Sequence, residues 1–539
     1  MNTSNKLKFY GALLTFMTLI LAISARAQPA LGVSHAIQEE ARESPDRHES
    51  PGADTTRRLL FWNGITLKAN ALDHARVPPF SPDQGGPLRT ARAFAIVHIA
   101  MFDAYNAIVG GFESYTGLNP ASLDEDIDRD RSRASEDGDR DNEDSDRDKH
   151  DNRDKHNNRD KQDTSKASID AAIDQAAGDT LIALFPSQAD DIEAIQSADL
   201  KTIPNGPAKA AGIRIGQQAA DAILALRSND GSQQPEELYN VPGGYIPNPA
   251  IGKWRQDPIS QNPVALGAFW NKVKPFVILS ADQFSVISPP ALTSAAYAKA
   301  FDELKRLGGD GVVTPTERTS EQTIIGIFWA YDGTPFLGTN PRLYNQITVK
   351  ISEQMGTRGI ELARLLALVN VAMADAGLAC FTTKYSEEFW RPITAIRQGA
   401  NDNNPDTIGD PNFVPLGAPA SNTTGPNFTP NFPSYTAGHS TFGGALFQTL
   451  RRFYQTDNIA FSIVSDEFNG KTRDNQGNVR PRIRRRFNSL SDAEAENGMS
   501  RIYLGIHWSF DNIQGISQGN RVADFVFDNS FRRRSSGED

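Results

Sequence analysis

Cysteine is almost missing from this sequence: Cys380 stands alone among 539 residues. One thiol permits no intramolecular disulfide, and it excludes four-cysteine zinc sites and iron–sulfur clusters. An excess of positive charge is missing as well. Lys and Arg number 55 against 66 Asp and Glu, a formal net charge of −11. That balance excludes a general nucleic-acid binder, which shows a broad basic face, but leaves room for a local basic pocket. Past the N-terminal stretch no apolar run reaches the roughly 20 residues of a bilayer span, so no stable membrane insertion is expected. There is no H-E-x-x-H and no dinucleotide-binding glycine fingerprint. Gly470-Lys471-Thr472 ends like a P-loop, but Ser465 occupies the place of the leading glycine. In Gly438-His439-Ser440-Thr441-Phe442 the last residue departs from the hydrolase elbow G-x-S-x-G.

What is present falls into segments. Lys6 and Lys8 precede an apolar run from about Tyr10 to Ile23, followed by Ala25-Arg26-Ala27. This three-part pattern marks residues 1–27 as a secretory signal peptide, so a secreted or periplasmic location is expected. Residues 28–56 are polar, with Pro45 and Pro51, and read as a flexible leader. Residues 57–123 form a first globular part. Residues 124–166 are dominated by Asp, Arg, Glu, Lys and Asn, and a hexad recurs from Arg147 to Asn152 and from Arg153 to Asn158. Such a segment cannot bury enough apolar surface to offset its chain entropy, so it reads as a disordered charged insertion. His150 and His156 inside it read as solvated repeat residues. Residues 167–530 form the main globular part and 531–539 a flexible tail.

The globular parts read as helical. Phe94, Val97, Met101, Tyr105 and Ile108 recur at helical spacing, and Gly110-Gly111 end the run. Residues 168–184, 207–227 and 358–379 repeat the pattern, and a further helix follows Gly438. Thr314-Pro315-Thr316-Glu317 has the form of a capping box opening a helix through Trp329, and Ser491 with Glu494 has the form of another. Alternating Val- and Ile-rich runs are scarce, which argues against an extended sheet. The arginines at 482, 484, 485 and 486 read as a solvated loop. The fold class is all-α, a large multi-helix bundle.

Six of the eight histidines precede residue 160, leaving only His439 and His507 in the rest of the chain. Each sits in a dense polar cluster. Lys384-Tyr385-Ser386-Glu387-Glu388-Phe389-Trp390-Arg391-Pro392 comes first. Pro433-Ser434-Tyr435-Thr436-Ala437-Gly438-His439 follows, and Ser500-Arg501 leads to His507-Trp508-Ser509-Phe510-Asp511. Lys384, Arg391 and Arg501 would repel one another in a dry pocket unless an anion neutralised them. Arginine's planar fork suits a tetrahedral oxyanion. Gly438 lets a backbone N–H approach an oxygen closely at the positive end of a helix. Two histidines allow two roles, direct bonding to a central atom and proton transfer near neutral pH. The combination describes a phosphate- or vanadate-binding catalytic site.

The three clusters, K-x6-R-P, P-S…G-H and S-R-x5-H-x3-D, resemble the signature shared by vanadium-dependent haloperoxidases and type 2 phosphatidic acid phosphatases. The resemblance runs from Lys384 to Asp511, and H-W-x-F-D is similar to the chloroperoxidase-like branch. It implies a helical bundle of the haloperoxidase/acid phosphatase type with vanadate, or phosphate, held by Lys384, Arg391, Gly438 and Arg501. It implies His507 as the axial ligand to vanadium, His439 as the acid/base towards hydrogen peroxide, and Asp511 as the orienter of an arginine or histidine. The implied reaction is oxidation of a halide by hydrogen peroxide to hypohalous acid, with the metal as a Lewis acid and an organic acceptor unspecified. Phe381 and Phe432 flank the motifs and suit either core packing or an apolar halide pocket. One departure stands out: Ala437 replaces the usual serine before Gly-His, a lost hydroxyl expected to weaken vanadate binding or shift halide preference. Two alternatives share the anion site. A secreted phosphatase would use His507 as nucleophile and His439 as acid; an exported anion-binding protein would have no turnover. Large helical faces allow a homodimer.

Overall fold

The computed structural model describes residues 55–75, 82–118 and 167–534. The signal peptide, nearly all of the leader, the charged insertion and residues 535–539 lie outside them. Among the described residues thirteen α-helices follow one another. They are α1 (Thr55–Asp73), α2 (Gly86–Val109), α3 (Ile169–Leu184), α4 (Ala189–Leu200), α5 (Pro207–Arg227), α6 (Ala295–Leu307) and α7 (Ser320–Phe328). Then come α8 (Asn340–Met355), α9 (Gly359–Glu387), α10 (Pro392–Arg397), α11 (Gly438–Tyr454), α12 (Leu490–Tyr503) and α13 (Ser509–Asn529). Three two-stranded antiparallel sheets are inserted: β1 (Glu237–Leu238) with β2 (Val264–Ala265), β3 (Asp332–Thr334) with β4 (Gly338–Thr339), and β5 (Phe461–Asn469) with β6 (Arg482–Phe487).

The centre of the bundle is α9. Leu362, Leu365, Leu366, Leu368, Val369 and Met373 are all fully buried, and apolar residues surround the helix rather than forming a stripe, as expected for a core helix. It packs against α2, α11 and α13. The α11–α13 contact is close because glycines stand at the crossing. A Cβ at Gly519 would lie 2.1 Å from the Thr441 carbonyl, and one at Gly444 would lie 2.7 Å from the Ile516 carbonyl. This crossing fixes the first turn of α11, which carries two residues of the site. Helices α2 and α9 are long and apolar enough to cross a bilayer, contrary to the reading that no later segment is. Their most apolar windows are 89% and 94% buried inside the bundle, so the hydrophobicity serves the core.

Several boundaries differ from the sequence reading. Thr55 and Thr56, counted with the leader, already belong to α1. Thr314–Glu317 is not a helix start. Asp310 draws the N–H groups of Val312, Val313 and Thr314 into a turn, and the Thr314 hydroxyl accepts from the Val414 N–H at 2.8 Å. The capping box belongs to Thr319 and Gln322, which open α7. Likewise Ser489, not Ser491, caps α12, because Ser491 bonds Asp457 and Glu494 pairs with Arg451. The arginines from 482 to 486 form strand β6, not a loop. Its pairing partner β5 buries alternate residues, and Arg485 is held by Glu496 and Glu321. Residues 531–534, counted with the tail, are anchored. Phe531 is buried against Phe102 and Tyr115, and Arg533 bridges to Phe112.

Candidate active site

Lys384 lies in the last turn of α9. That helix stops at Glu388, which takes the left-handed conformation (φ 50°) and donates its N–H to the Lys384 carbonyl at 2.8 Å. The Glu388 carboxylate accepts from the Tyr245 hydroxyl at 2.8 Å and from Asn248 at 3.3 Å, which pins the turn. Arg391 is the residue before α10, where Pro392 occupies the first helical position. Gly438 and His439 open α11, and Arg501 lies in the last turn of α12. His507 follows a turn at Gly505 (φ 74°), where a Cβ would lie 2.4 Å from the Gly308 carbonyl. Asp511 is the third residue of α13 and accepts from the Trp508 N–H at 3.2 Å.

Six of the seven sequence-derived residues form a connected buried cluster or line its cavity. His507 Nδ1 donates to Asp511 Oδ2 at 2.9 Å, and Ser434 Oγ donates to the same oxygen at 2.5 Å. The other ring nitrogen, Nε2, accepts from Arg391 Nη1 at 2.9 Å. Arg391 also donates to the carbonyls of Phe432 and Ile506, while its Nη2 has no partner among the described residues. Arg501 Nη2 holds both oxygens of Asp332, at 2.8 and 3.0 Å, and its Nε and Nη1 are unpartnered. Gly438, His439, Arg501 and His507 line one cavity of about 70 Å3. A Cβ on Gly438 would meet open space. Lys384 is the exception. Its ammonium donates to the carbonyls of Pro433, Ser434 and Thr436, so all three donors are engaged by the loop before α11.

His439 is held differently from His507. No carboxylate bonds to it among the described residues; Nε2 faces the Ala330 carbonyl at 2.5 Å. A carbonyl only accepts, so Nε2 carries the proton and Nδ1 is left as the basic nitrogen. The His439 carbonyl is fixed by the Tyr344 hydroxyl (3.0 Å) and Asn497 Nδ2 (2.9 Å). Asp375, also on α9, accepts the N–H groups of Phe276, Val277 and Ile278.

The electrostatics follow from burial and crowding. Burial lowers Lys384 to about 7, and Arg391 adds to the effect. Arg391 is lowered to about 9 by burial and then by Arg501, against the pull of Asp511. Both histidines fall well below their usual value, first by burial and then through Arg501 for His439 and Arg391 for His507. Asp511 is raised to about 6 by burial. Three cations face two carboxylates, and the buried guanidinium nitrogens without partners are donors awaiting an acceptor.

Three helix starts open on this cavity: Gly86-Pro87 of α2, Thr339-Asn340 of α8, and Gly438-His439 of α11. Ala437 is the N-cap of α11 and has no hydroxyl for the helix N–H groups. Ser440 bonds Asn512 and Ser434 bonds Asp511, so neither replaces it at the cap. Phe381 and Phe432 also line the cavity, with ring centroids 4.9 Å apart, and the Arg391 guanidinium lies 4.9 Å from the Phe432 ring centre. Sequence reasoning missed Asp332, the Ala330 carbonyl, Thr339 and Asn340. They come from the β3–β4 hairpin, where the only local sign is an aromatic run ending in Asp332-Gly333.

The family model for the second helical-bundle domain of VCPO matches residues 364–535, the span that holds all three clusters. Over 512 residues the sequence is 31% identical to the vanadium chloroperoxidase of Curvularia inaequalis, covering 86% of this chain and 80% of that protein. The chain belongs to the vanadium haloperoxidase family. Solved structures of two haloperoxidases share the fold. A bacterial vanadium-dependent iodoperoxidase matches with a TM-score of 0.65 at 21% identity, covering 89% of this chain and 98% of that one. The holo form of a bacterial vanadium-dependent chloroperoxidase matches with a TM-score of 0.56 at 16% identity, covering 86% and 97%. Bundle and haloperoxidase family therefore agree with the expectation drawn from Lys384 to Asp511.

Proposed function

We propose that this haloperoxidase uses vanadate to oxidise halide with hydrogen peroxide. Halide loses two electrons, the peroxide O–O bond breaks, a proton is consumed, and hypohalous acid and water leave. The observation that carries the reading is the set of donors without partners among the described residues, Arg391 Nη2 with Arg501 Nε and Nη1, beside His507, whose Nε2 accepts from Arg391 Nη1. Among the described residues no cluster of three or more His, Cys, Asp or Glu is arranged for a metal cation. One imidazole amid guanidinium groups instead fits a metal presented as an oxyanion.

The two arginines and the Gly438 N–H would hold the vanadate oxygens, and His507 Nε2 would ligate the metal. Bound vanadate supplies a Lewis acid that polarises peroxide. Asp511 keeps the His507 proton on Nδ1 and the lone pair on Nε2. His439 is neutral at pH 7, so its Nδ1 can take a proton from peroxide. Lys384 acts from behind, fixing the 433–436 carbonyls and adding charge. Phe381 and Phe432 give the cavity an apolar wall that keeps water from the reacting groups.

A bromination assay with orthovanadate, peroxide and a chromogenic acceptor tests this, with p-nitrophenyl phosphate as control. Vanadate-dependent bromination that disappears in His507→Ala is expected. Phosphate-ester hydrolysis without bromination would show a phosphatase instead. The N-terminal pattern supports export; mass spectrometry of the mature protein should find a chain beginning at Gln28, and an intact Met1 start would refute it.

A further inference from the structure

Besides the arginine nitrogens, another pair of unused donors belongs to residues that line the cavity. Thr339 sits at the N-cap position of α8, the place where a hydroxyl normally satisfies helix N–H groups, yet it makes no cap bond. Thr339 Oγ1 and Asn340 Nδ2 have no hydrogen-bond partner among the described residues, and both residues are 2% exposed. Both line the cavity shared with Gly438, Arg501 and His507. The Asn340 amide lies within reach of the phenol oxygen of Tyr344, whose pKa it lowers, and Tyr344 in turn holds the His439 carbonyl. Unpaired buried donors are rare and costly.

We propose that Thr339 and Asn340, at the start of the 16-residue helix α8, form a halide subsite. The inference rests on the haloperoxidase reading. The chemistry selects a small monovalent anion. Two neutral donors and a helix start match a single weakly hydrated charge. A polyanion such as phosphate needs several charged donors, which Arg391 and Arg501 supply and these two neutral side chains do not. The nearest carboxylate is Asp332, paired with Thr339 across β3 and β4. Both its oxygens are held by Arg501, so its charge is offset. Leu266, Phe428 and Phe442 complete an apolar lining that favours a large soft halide over a hydrated oxyanion.

The test pairs kinetics of the vanadate-loaded enzyme with diffraction from bromide-soaked crystals. Thr339→Val and Asn340→Ala are each expected to raise the bromide KM about tenfold, the loss of one hydrogen bond to a charged group. The peroxide KM and the vanadate affinity should stay near wild type. An anomalous bromide peak beside Asn340 Nδ2 is expected in the wild type. A bromide KM unchanged in both variants, or one that rises only in step with vanadate dissociation, overturns the subsite. Should Asn340→Ala not fold, Asn340→Asp keeps the shape and must raise the bromide KM by repulsion. Wild-type protein without vanadate-dependent bromination overturns the activity reading alone. The crystal then decides the subsite: a bromide peak at Asn340 supports it and its absence overturns it.

Discussion

At Arg501 one nitrogen grips Asp332 while two others have no partner among the described residues. Lys384, by contrast, has all three protons engaged by backbone carbonyls. The two cations therefore differ in role despite equal charge. A guanidinium can hold its carboxylate and still present a fork to an oxyanion, whereas an ammonium is a point charge. Arg501→Lys should then weaken vanadate binding about tenfold or more, because one ammonium cannot serve Asp332 and the oxyanion at once. Titrating the apoprotein with orthovanadate measures it, and an unchanged affinity would show that charge alone matters. The His507–Asp511 pair was legible through the family resemblance, which implies Asp511 as the orienter of an arginine or histidine, and the structure gives it His507. Asp332 was not, because its link to Arg501 spans 169 residues and no motif marks it.

The helices divide the work. Helices α9, α11, α12 and α13 carry Lys384, His439, Arg501 and Asp511, while Arg391 precedes α10 and Asp332 comes from β3. His98, on α2, shows how the elements are tied. Its Nε2 lies 3.0 Å from Asn63 Oδ1 on α1, and its Nδ1 lies 3.2 Å from Asn370 on α9. Burial lowers its pKa from 6.5 to about 4. The unfolded chain therefore binds a proton that the folded protein refuses, so this residue's contribution is intact above pH 6.5 and declines as the pH falls towards 4. Between pH 7 and pH 5 the wild type should lose about 2 kcal/mol through His98 that His98→Gln does not lose. Urea unfolding of both proteins at the two pH values reads the difference, and equal losses would show that His98 does not titrate in this range. The long apolar helix α2 was legible in the sequence because its periodicity ends at a glycine stop, Gly110, and the start of α11 was marked by Gly438. Cap positions were not, because Thr314 and Ser491 have the right residue types but give their hydrogen bonds to distant partners. Strand β6 was missed because Arg485 is neutralised by Glu321 of α7 and Glu496 of α12, which the local sequence does not show.

For the molecule as a whole, the cation cluster makes the native state an acceptor of anions. Orthovanadate at about a hundred times its dissociation constant should stabilise the fold by about 2.7 kcal/mol. Calorimetry with and without orthovanadate should show a higher melting temperature. The same ligand should leave an Arg391→Ala, Arg501→Ala double variant unmoved, and a shift that survives in that variant would place binding elsewhere. The three helix starts at the cavity have a further effect on traffic. Their field draws a negative ion inward and has no hold on an uncharged molecule. Halide is charged; hypohalous acid in its acid form is not. Entry of the halogen atom is thus assisted and its exit unopposed, so the pocket works as a one-way passage without any moving part.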